Sequence, residues 1–340
     1  MESIILMNSK WGNDMFVPMY LFFGGLSGGL FVVAVAADLI GIKLKQFENF
    51  SKITAVLCLP VLALAGAFIA FHLGKPERGI LFPFFFKNYS SWLVIGGWSV
   101  GLAIPLVVSY AAMWHFRVNQ TYRRILGVIG MPLLGFVSFY TGLLLSGAMF
   151  VPLWSMKFLP YLFLNSGVLT GLAGSGLVYI LYQAFFTQNV SQEAASVSED
   201  SSKIISILGY AILVFIFIEL VEIQIFMEYL ASNPIKDDNS GLFIAPNGSE
   251  FVYEYVTNGP LSTWFWWGII GLGLTLPLVI GLIELIFEKV IKTYINWVSG
   301  FKFASILVGG AILRFVIVWG GEVKAPLAMP PALFQIPIGG

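Results

Sequence analysis

Eight long apolar segments constrain the fold of this chain more than any other feature of its sequence. Each segment is close to the roughly 20 residues that an α-helix needs to cross a bilayer. Helices are favoured over strands because the apolar runs are continuous and do not alternate with polar residues. The predicted spans are residues 16–40, 53–73, 92–114, 125–150, 159–185, 204–230, 261–287 and 299–320. We therefore expect an all-α integral membrane protein with eight transmembrane helices and both termini on one side.

The composition excludes several other classes of protein. Hydrophobic residues make up 58% of the 340 residues and charged residues 11%, whereas soluble domains average roughly 45–50% and about 25%. The 18 basic and 18 acidic residues cancel, which argues against a nucleic-acid partner. The single cysteine, Cys58, cannot build a disulfide framework or hold an iron-sulfur cluster alone. His72 and His115 are predicted at opposite ends of their spans, so we expect no haem or metal site in this chain.

The distribution of Lys and Arg predicts the orientation of the spans. About ten of these residues lie in the connections after spans one, three, five and seven, and about seven lie on the other side. Basic residues favour the cytoplasmic side, so we place both termini outside. The long connections 74–91 and 231–260 then lie on the outer face, which we expect to be the docking face, and the Ser- and Glu-rich segment 187–202 lies inside.

An internal repeat relates the two halves of the sequence. Ser91, Trp92, Gly96, Gly101 and Pro105 recur, with Thr in place of Ser, as Thr263, Trp264, Gly268, Gly273 and Pro277 at a constant offset. We predict two four-helix bundles in the same orientation. Residues 1–186 hold the first bundle, 187–203 a cytoplasmic linker and 204–340 the remaining helices, while the repeat assigns the fifth helix, 159–185, to the second bundle.

Two further features follow from the pattern of the spans. The small-residue stretches 24–29 and 170–176 predict helix-packing faces, because small residues let helices approach closely. A groove for a lipid tail or a quinone is the minor alternative. Tyr140 and Arg314 each lie twelve residues before a Pro-Leu pair, so we expect two polar side chains at equivalent depths in the two halves.

Several motifs resemble the NrfD-like family, the membrane subunits of polysulfide reductase and its relatives. Residues 20–29, Tyr-Leu-Phe-Phe-Gly-Gly-Leu-Ser-Gly-Gly, look like the opening of that family. Residues 72–78, His-Leu-Gly-Lys-Pro-Glu-Arg, are similar to its Leu-Gly-Arg-Pro-Glu-Arg signature, and a third block comprises 140–146, 152–154 and 159–163. The resemblance covers nearly the whole chain.

This resemblance implies a quinone-reactive subunit of a multi-subunit respiratory oxidoreductase in the prokaryotic cytoplasmic membrane. Such a subunit binds menaquinone or ubiquinone without haem. It docks an iron-sulfur subunit on the outer face and through it exchanges electrons with a molybdopterin catalytic subunit. Lys75, Glu77 and Arg78 are then expected to order the outer loop or to contact the partner. The terminal substrate, whether polysulfide, thiosulfate, nitrite, arsenate or another, would be handled by a different chain.

Candidate quinone ligands follow from depth and from the resemblance. Tyr140 is predicted about ten residues, or about 15 Å, from the outer end of span four. At this depth its phenol can donate a hydrogen bond to a quinone carbonyl. The alternative is a buried tyrosine that is hydrogen-bonded to a neighbouring backbone group. Asn13 and Asp14 precede span one, where the related site draws polar groups, or they cap the helix at the interface. His72 replaces an acidic residue that is frequent in the family and could exchange a quinol proton, or it is simply solvated.

A second constellation consists of ionisable residues within the spans. Glu219 and Glu222 are three residues apart in span six and share one helix face, and Arg314 lies at comparable depth in span eight. With Asp38 and Glu284 nearer the inner side, these residues predict a proton path. The alternative is a static ion pair between helices.

Two other functions remain open from the sequence alone. A secondary transporter or a proton or ion channel would use Glu219, Glu222 and Arg314, and a parallel duplication is also found in transporters. An inert anchor for a peripheral enzyme is the third possibility.

Overall fold

A computed structural model describes residues 15–72, 84–85, 88–148, 151–186, 193–232, 248–286 and 295–322. Within these ranges, eight helices are long and apolar enough to cross a membrane. The prediction of an all-α integral membrane protein with eight spans is confirmed. The helices are α1 Phe16–Ile40, α2 Gln46–His72, α3 Trp92–His115, α4 Gln120–Ser146, α5 Leu159–Phe186, α6 Glu193–Ser232, the short α7 Gly248–Thr257, α8 Trp264–Ile286 and α9 Ile295–Glu322.

The helix ends differ from the predicted spans where polar residues decide them. Helix α4 begins at Gln120, before its apolar run, because the Asn119 side chain caps the helix by accepting a hydrogen bond from the backbone N–H of Thr121 at 2.9 Å. The same helix ends at Ser146, four residues before the predicted end. Helix α6 begins at Glu193, within the segment that we expected to be a linker.

The two ends of the bundle are defined by the course of the chain. The terminal face is the end at which α1 begins and α9 ends, and the opposite face is the end at which α1 ends and α9 begins. Since successive spans alternate in direction, α2, α4, α6 and α9 end at the terminal face, and α3, α5 and α8 begin there.

Helices α1 and α5 form the centre of the protein. Helix α1 packs against α2, α4, α5 and α9, and α5 packs against α1, α4, α6 and α9. Their contact is built from glycines: a Cβ added at Gly29 would overlap the carbonyl group of Gly167, and one at Gly171 would overlap the backbone of Gly29. The prediction that the small-residue stretches are packing faces is confirmed. The division into two parallel bundles stays a prediction, since both central helices contact helices of each expected half.

Helix α8 contains a long π-helical segment, Trp264–Thr275, followed by the α-helical segment Leu276–Ile286. The backbone N–H of Leu276 donates to the carbonyl of Gly271, five residues earlier. Pro277 has no N–H to donate to the carbonyl of Gly273, and its ring would clash with that carbonyl in a regular α-helix. The π-helical turns before Pro277 give the backbone a path beside α9 that differs from that of a regular α-helix.

Candidate functional site

Tyr140 lies on α4 near the terminal face. It precedes the end of the helix at Ser146 by six residues, which corresponds to about 9 Å along the axis. This is shallower than the predicted 15 Å because α4 ends before the apolar run does. The side chain is only 2% exposed, so its hydroxyl group has to find partners inside the protein or in a bound molecule.

The hydroxyl group of Tyr140 meets a second phenol. Tyr20 of α1 lies within hydrogen-bonding reach of it and is also buried. On the other side, the Tyr140 ring fills the space that a side chain at Gly96 of α3 would need. Two phenols carry two donatable protons, and the contact between them uses only one. The pair can therefore donate one hydrogen bond to a further acceptor.

Sequence reasoning did not single out Tyr20 as a site residue. The signal was present, since Tyr20 opens the motif that resembles the NrfD-like family. What the sequence could not show is that α1 and α4 cross so that the two phenols meet.

Of the other predicted quinone ligands and the docking residues, the structure describes only His72. His72 is the last residue of α2 and therefore lies at the terminal face, on the same side as Tyr140. The rings of Phe68 and Phe71 lie 6.3 and 6.0 Å from the ring of Phe16, so the end of α2 lies beside the start of α1. Five predicted site residues lie outside the described residues: Asn13, Asp14, Lys75, Glu77 and Arg78.

Arg314 forms the centre of the buried polar cluster. Its side chain is 0% exposed. The Nη1 atom donates to the hydroxyl of Ser166 at 2.6 Å and to the carbonyl of Gly310 at 3.3 Å, and Nη2 donates to the carbonyl of Phe163 at 3.4 Å. The guanidinium group also stacks over the Phe163 ring, 4.6 Å from its centroid. Arg314 thus joins α9 to α5, and Gly25 of α1 leaves room for it.

The two glutamates of α6 are near this arginine but do not pair with it directly. Among the described residues, neither glutamate has an oxygen within 4.0 Å of an Arg314 nitrogen. The hydroxyl of Ser166 lies within hydrogen-bonding reach of Glu219, and the side chain of Asn165 within reach of Glu222. The Oε2 atoms of both glutamates are buried without a hydrogen-bond partner in the described structure.

Asp38 belongs to a closed ion-pair network near the opposite face. It accepts hydrogen bonds from Arg123 Nη2 at 2.7 Å and Nε at 2.8 Å, from Arg124 Nε at 3.2 Å and from the Tyr110 hydroxyl at 3.1 Å. Arg123 is itself buried and stacks 3.4 Å from the centroid of the Trp114 ring. This geometry favours the static alternative for Asp38. Sequence reasoning counted Arg123 only as a charge that sets orientation.

Glu284 forms a second ion pair near the same face. It accepts hydrogen bonds from Lys302 of α9 and, at 2.7 Å, from the hydroxyl of Ser299. Lys302 is fully buried, whereas Glu284 retains some exposure. Among the described residues, the Asp38–Arg123 pair joins α1 to α4 and the Glu284–Lys302 pair joins α8 to α9, and Glu284 is the more exposed of the two carboxylates.

Comparison with known proteins identifies the family. The family model described as polysulphide reductase, NrfD, matches residues 6–326. The sequence is 23% identical to the C chain of polysulfide reductase from Wolinella succinogenes, over 93% of this protein and 99% of that one. It is 22% identical to the C subunit of selenate reductase from Mesobacillus selenatarsenatis, over 80% of this protein and 66% of that one. Since the family model matches nearly the whole chain, this protein belongs to the NrfD polysulphide reductase family.

Proposed function

We propose that this chain is the quinone-reactive membrane subunit of a multi-subunit respiratory oxidoreductase. It exchanges electrons between the quinone pool of the membrane and an iron-sulfur partner, which passes them to or from a molybdopterin catalytic subunit. Membership of the NrfD family supports this role. Both relatives are named as single components of a reductase, which also supports a place in a complex with catalytic partners.

The paired phenols of Tyr140 and Tyr20 are the observation on which the proposed quinone site rests. They lie about 9 Å below the end of α4, a depth that a lipid-soluble head group can reach from the bilayer. Their spare O–H donor fits a carbonyl acceptor, because a quinone needs donors for its two oxygens and no metal ligand. In the part of the chain that the structure describes, no group of three His, Cys, Asp or Glu side chains could hold a metal ion.

Each residue of the proposed quinone site would have a separate role. A bound quinone would supply two-electron, two-proton redox chemistry. Tyr140 would donate a hydrogen bond to one carbonyl oxygen, while Tyr20 holds the Tyr140 hydroxyl in place. His72, at the terminal face, would exchange protons with the aqueous phase through its imidazole ring. Asn13 and Asp14, which precede α1, are further proposed ligands.

We also propose that the terminal face is the outer face of a prokaryotic cytoplasmic membrane and the docking face for the iron-sulfur subunit. The proposed site is close to this face, which keeps the distance for electron transfer to a docked partner short. Lys75, Glu77 and Arg78 lie in the connection that leaves α2 on this side, so they are the proposed contacts.

Substitution of Tyr140 by Phe tests the proposal. The complex is purified with its co-purifying partner, and electron exchange between a short-chain quinol and the partner's iron centres is followed spectroscopically, which requires no knowledge of the terminal substrate. Loss of a hydrogen bond made in the transition state costs about 2–4 kcal/mol, so the rate should fall some tens to about a thousandfold. Tyr161→Phe is the matched control, because that side chain is exposed on α5.

The result can also contradict the proposal. An intact Tyr140→Phe complex that exchanges electrons at the normal rate would remove Tyr140 from the site. Purification of the wild-type chain without iron or quinone, together with substrate-dependent flux in liposomes, would favour a transporter instead.

A further inference from the structure

The π-helical segment of α8 is much longer than is usual for such a helix. Most π-helices are single turns inserted into an α-helix, frequently at functional sites, whereas the segment Trp264–Thr275 has 12 residues. A helix with hydrogen bonds between residues five apart puts more residues into each turn than an α-helix, so it is shorter for the same number of residues. A change from one form to the other therefore changes the distance between the two ends of α8.

The internal repeat shows that the same residue pattern also folds as a regular α-helix. The residues shared by α8 and α3 are Trp264, Gly268, Gly273 and Pro277, which match Trp92, Gly96, Gly101 and Pro105. The whole of α3, Trp92–His115, is α-helical although Pro105 lies inside it. The pattern is thus compatible with both forms, and the surroundings of α8 decide which of them it adopts.

Two contacts fix the position of the π-helical segment. Near the terminal face, the indole N–H of Trp266 donates to the carbonyl of Thr257, the last residue of α7, at 2.9 Å. Deeper in the bundle, the backbones of Gly273 and Gly309 lie so close that a Cβ added at Gly309 would overlap the Cα atom of Gly273. The segment is therefore anchored to α7 at one end and to α9 at the other.

The packing beside the segment is incomplete. A cavity between α5, α6, α8 and α9 leaves about 10 Å³ for the centres of water molecules, which is about the room that one water needs. Ile269, Gly273 and Leu274 form its wall on α8. A close-packed interior would oppose a change of helix form, whereas here the side chains of Ile269 and Leu274 have free space next to them.

We propose that residues 264–275 form a two-state element, which changes between the π-helix described here and an α-helix like α3. Two packings of one sequence coexist when their free energies differ by only a little. In the α-helical state α8 is longer, so its first turn moves towards the terminal face. Helix α7 moves with it, because Trp266 binds the end of α7. The element thus couples the packing around the buried cavity to the position of α7, and it does not depend on the proposed quinone site.

Double electron-electron resonance on the full-length protein in lipid nanodiscs tests for the two states. Spin labels replace Trp267 and Leu282 in α8 or, as the matched control, Leu93 and Val108 in α3; all four side chains are exposed. Both pairs are separated by the same number of residues, which in an α-helix places them about 22 Å apart along the axis. We expect one distance in α3 and two in α8, of which one equals that of α3 and the other is shorter. A single distance in α8, of either length, would overturn the proposal.

Substitution of Pro277 by Ala should shift the balance between the two states. Alanine supplies an N–H that can donate to the carbonyl of Gly273 and removes the ring that opposes this turn, so the share of the α3-like distance should rise. Pro105→Ala is the matched control and should leave the distance in α3 unchanged. Trp266→Phe removes the anchor to α7 and should also raise the α3-like share, which keeps the test decisive if Pro277→Ala fails to fold. Distances that neither variant changes would overturn the proposal.

Movement of α7 is measured with a second pair of labels at the terminal face. Glu254 of α7 and Met156, in the connection between α4 and α5, are both exposed. We expect two distances between them, in the same proportions as in α8. A single distance would show that α7 does not follow the segment and would overturn the coupling. Normal quinol-linked electron exchange in a protein with one α8 distance would reject this inference and leave the proposed function intact.

Discussion

Ser166 stands between Arg314 and Glu219 and separates the two charges. Its oxygen accepts a hydrogen bond from Arg314 Nη1 at 2.6 Å, and the hydroxyl lies within hydrogen-bonding reach of the Glu219 carboxylate. A serine hydroxyl can accept one hydrogen bond and donate another at the same time. The buried arginine and glutamate are therefore linked through a neutral group of α5, in place of the direct ion pair that the sequence suggested.

The first prediction is that Arg314 is energetically coupled to Glu219 and much less to Glu222. In a double-mutant cycle of Arg314→Gln and Glu219→Gln, we expect a coupling of about 0.5–3 kcal/mol, the range for residues that share one polar network. Unfolding of the four proteins in mixed micelles gives the value. The same cycle with Glu222→Gln is the control, since Glu222 is within reach of Asn165 and half-buried. Additive effects in both cycles would show that Ser166 does not transmit the interaction.

The second prediction concerns the ion pair of Asp38 and Arg123. Asp38→Asn should destabilise the protein by about 3–5 kcal/mol, because it leaves a buried guanidinium group without its anion. Glu48→Gln is the control: that carboxylate pairs with Arg124 at 3.4 Å at a partly exposed position, where ion pairs contribute about 0–1 kcal/mol. Thermal unfolding in detergent measures both variants. Equal stability of the two would mean that the pair near Asp38 is open to water.

The third prediction is that Gly96 controls the position of Tyr140. Gly96→Ala should destabilise the protein by about 1–3 kcal/mol, as overpacking does, and should slow quinol-linked electron exchange, because the added methyl group displaces the Tyr140 ring. Gly101→Ala on the same helix has open space around it and should leave stability unchanged or raise it by up to about 1 kcal/mol. Normal exchange in Gly96→Ala would show that the ring position does not matter to the reaction.

The fourth prediction concerns partner docking. Reversal of charge at Lys75 or Arg78 should weaken retention of the iron-sulfur subunit more than it changes quinone occupancy. Stringent washing of the immobilised complex, followed by iron and quinone analysis of what remains, measures the two effects separately. Charge reversal at Lys43, in the connection between α1 and α2 on the opposite face, is the control. Equal retention of the partner in all variants would place its interface elsewhere.

The sequence predicted the helices well where hydrophobicity decides their limits. Helix α1 begins at Phe16 and ends at Ile40 as predicted, because an apolar run is enclosed by polar residues on both sides. Hydrophobicity did not predict where α4 and α6 begin. Helix α4 begins after a polar cap and α6 begins with a polar first turn, and both starts lie outside the apolar region. The repeat in the sequence likewise did not determine the backbone: Pro105 lies within a regular α-helix, whereas Pro277 follows a π-helical segment.

The polar residues show even more clearly what could not be predicted from the sequence. A buried Tyr140, Arg314, Glu219 or Asp38 could be recognised from the sequence, because charged and polar groups stand out within apolar runs. Their partners Tyr20, Ser166 and Arg123 could not be assigned, since each belongs to a different helix. Tyr140 and Arg314 occupy matching positions in the repeat, yet one faces Gly96 of α3 and the other Ser166 of α5.

The sequence by itself determined that this chain crosses a membrane eight times and that its small-residue stretches are packing faces, because both properties depend on the local order of side chains. Only the tertiary structure decided which polar groups meet. Within the membrane a polar side chain is satisfied by whatever group the neighbouring helix presents, and that group depends on how the helices cross. The crossing of α1 and α5, set by Gly29 and Gly171, therefore shapes the centre in which Arg314 finds its partners.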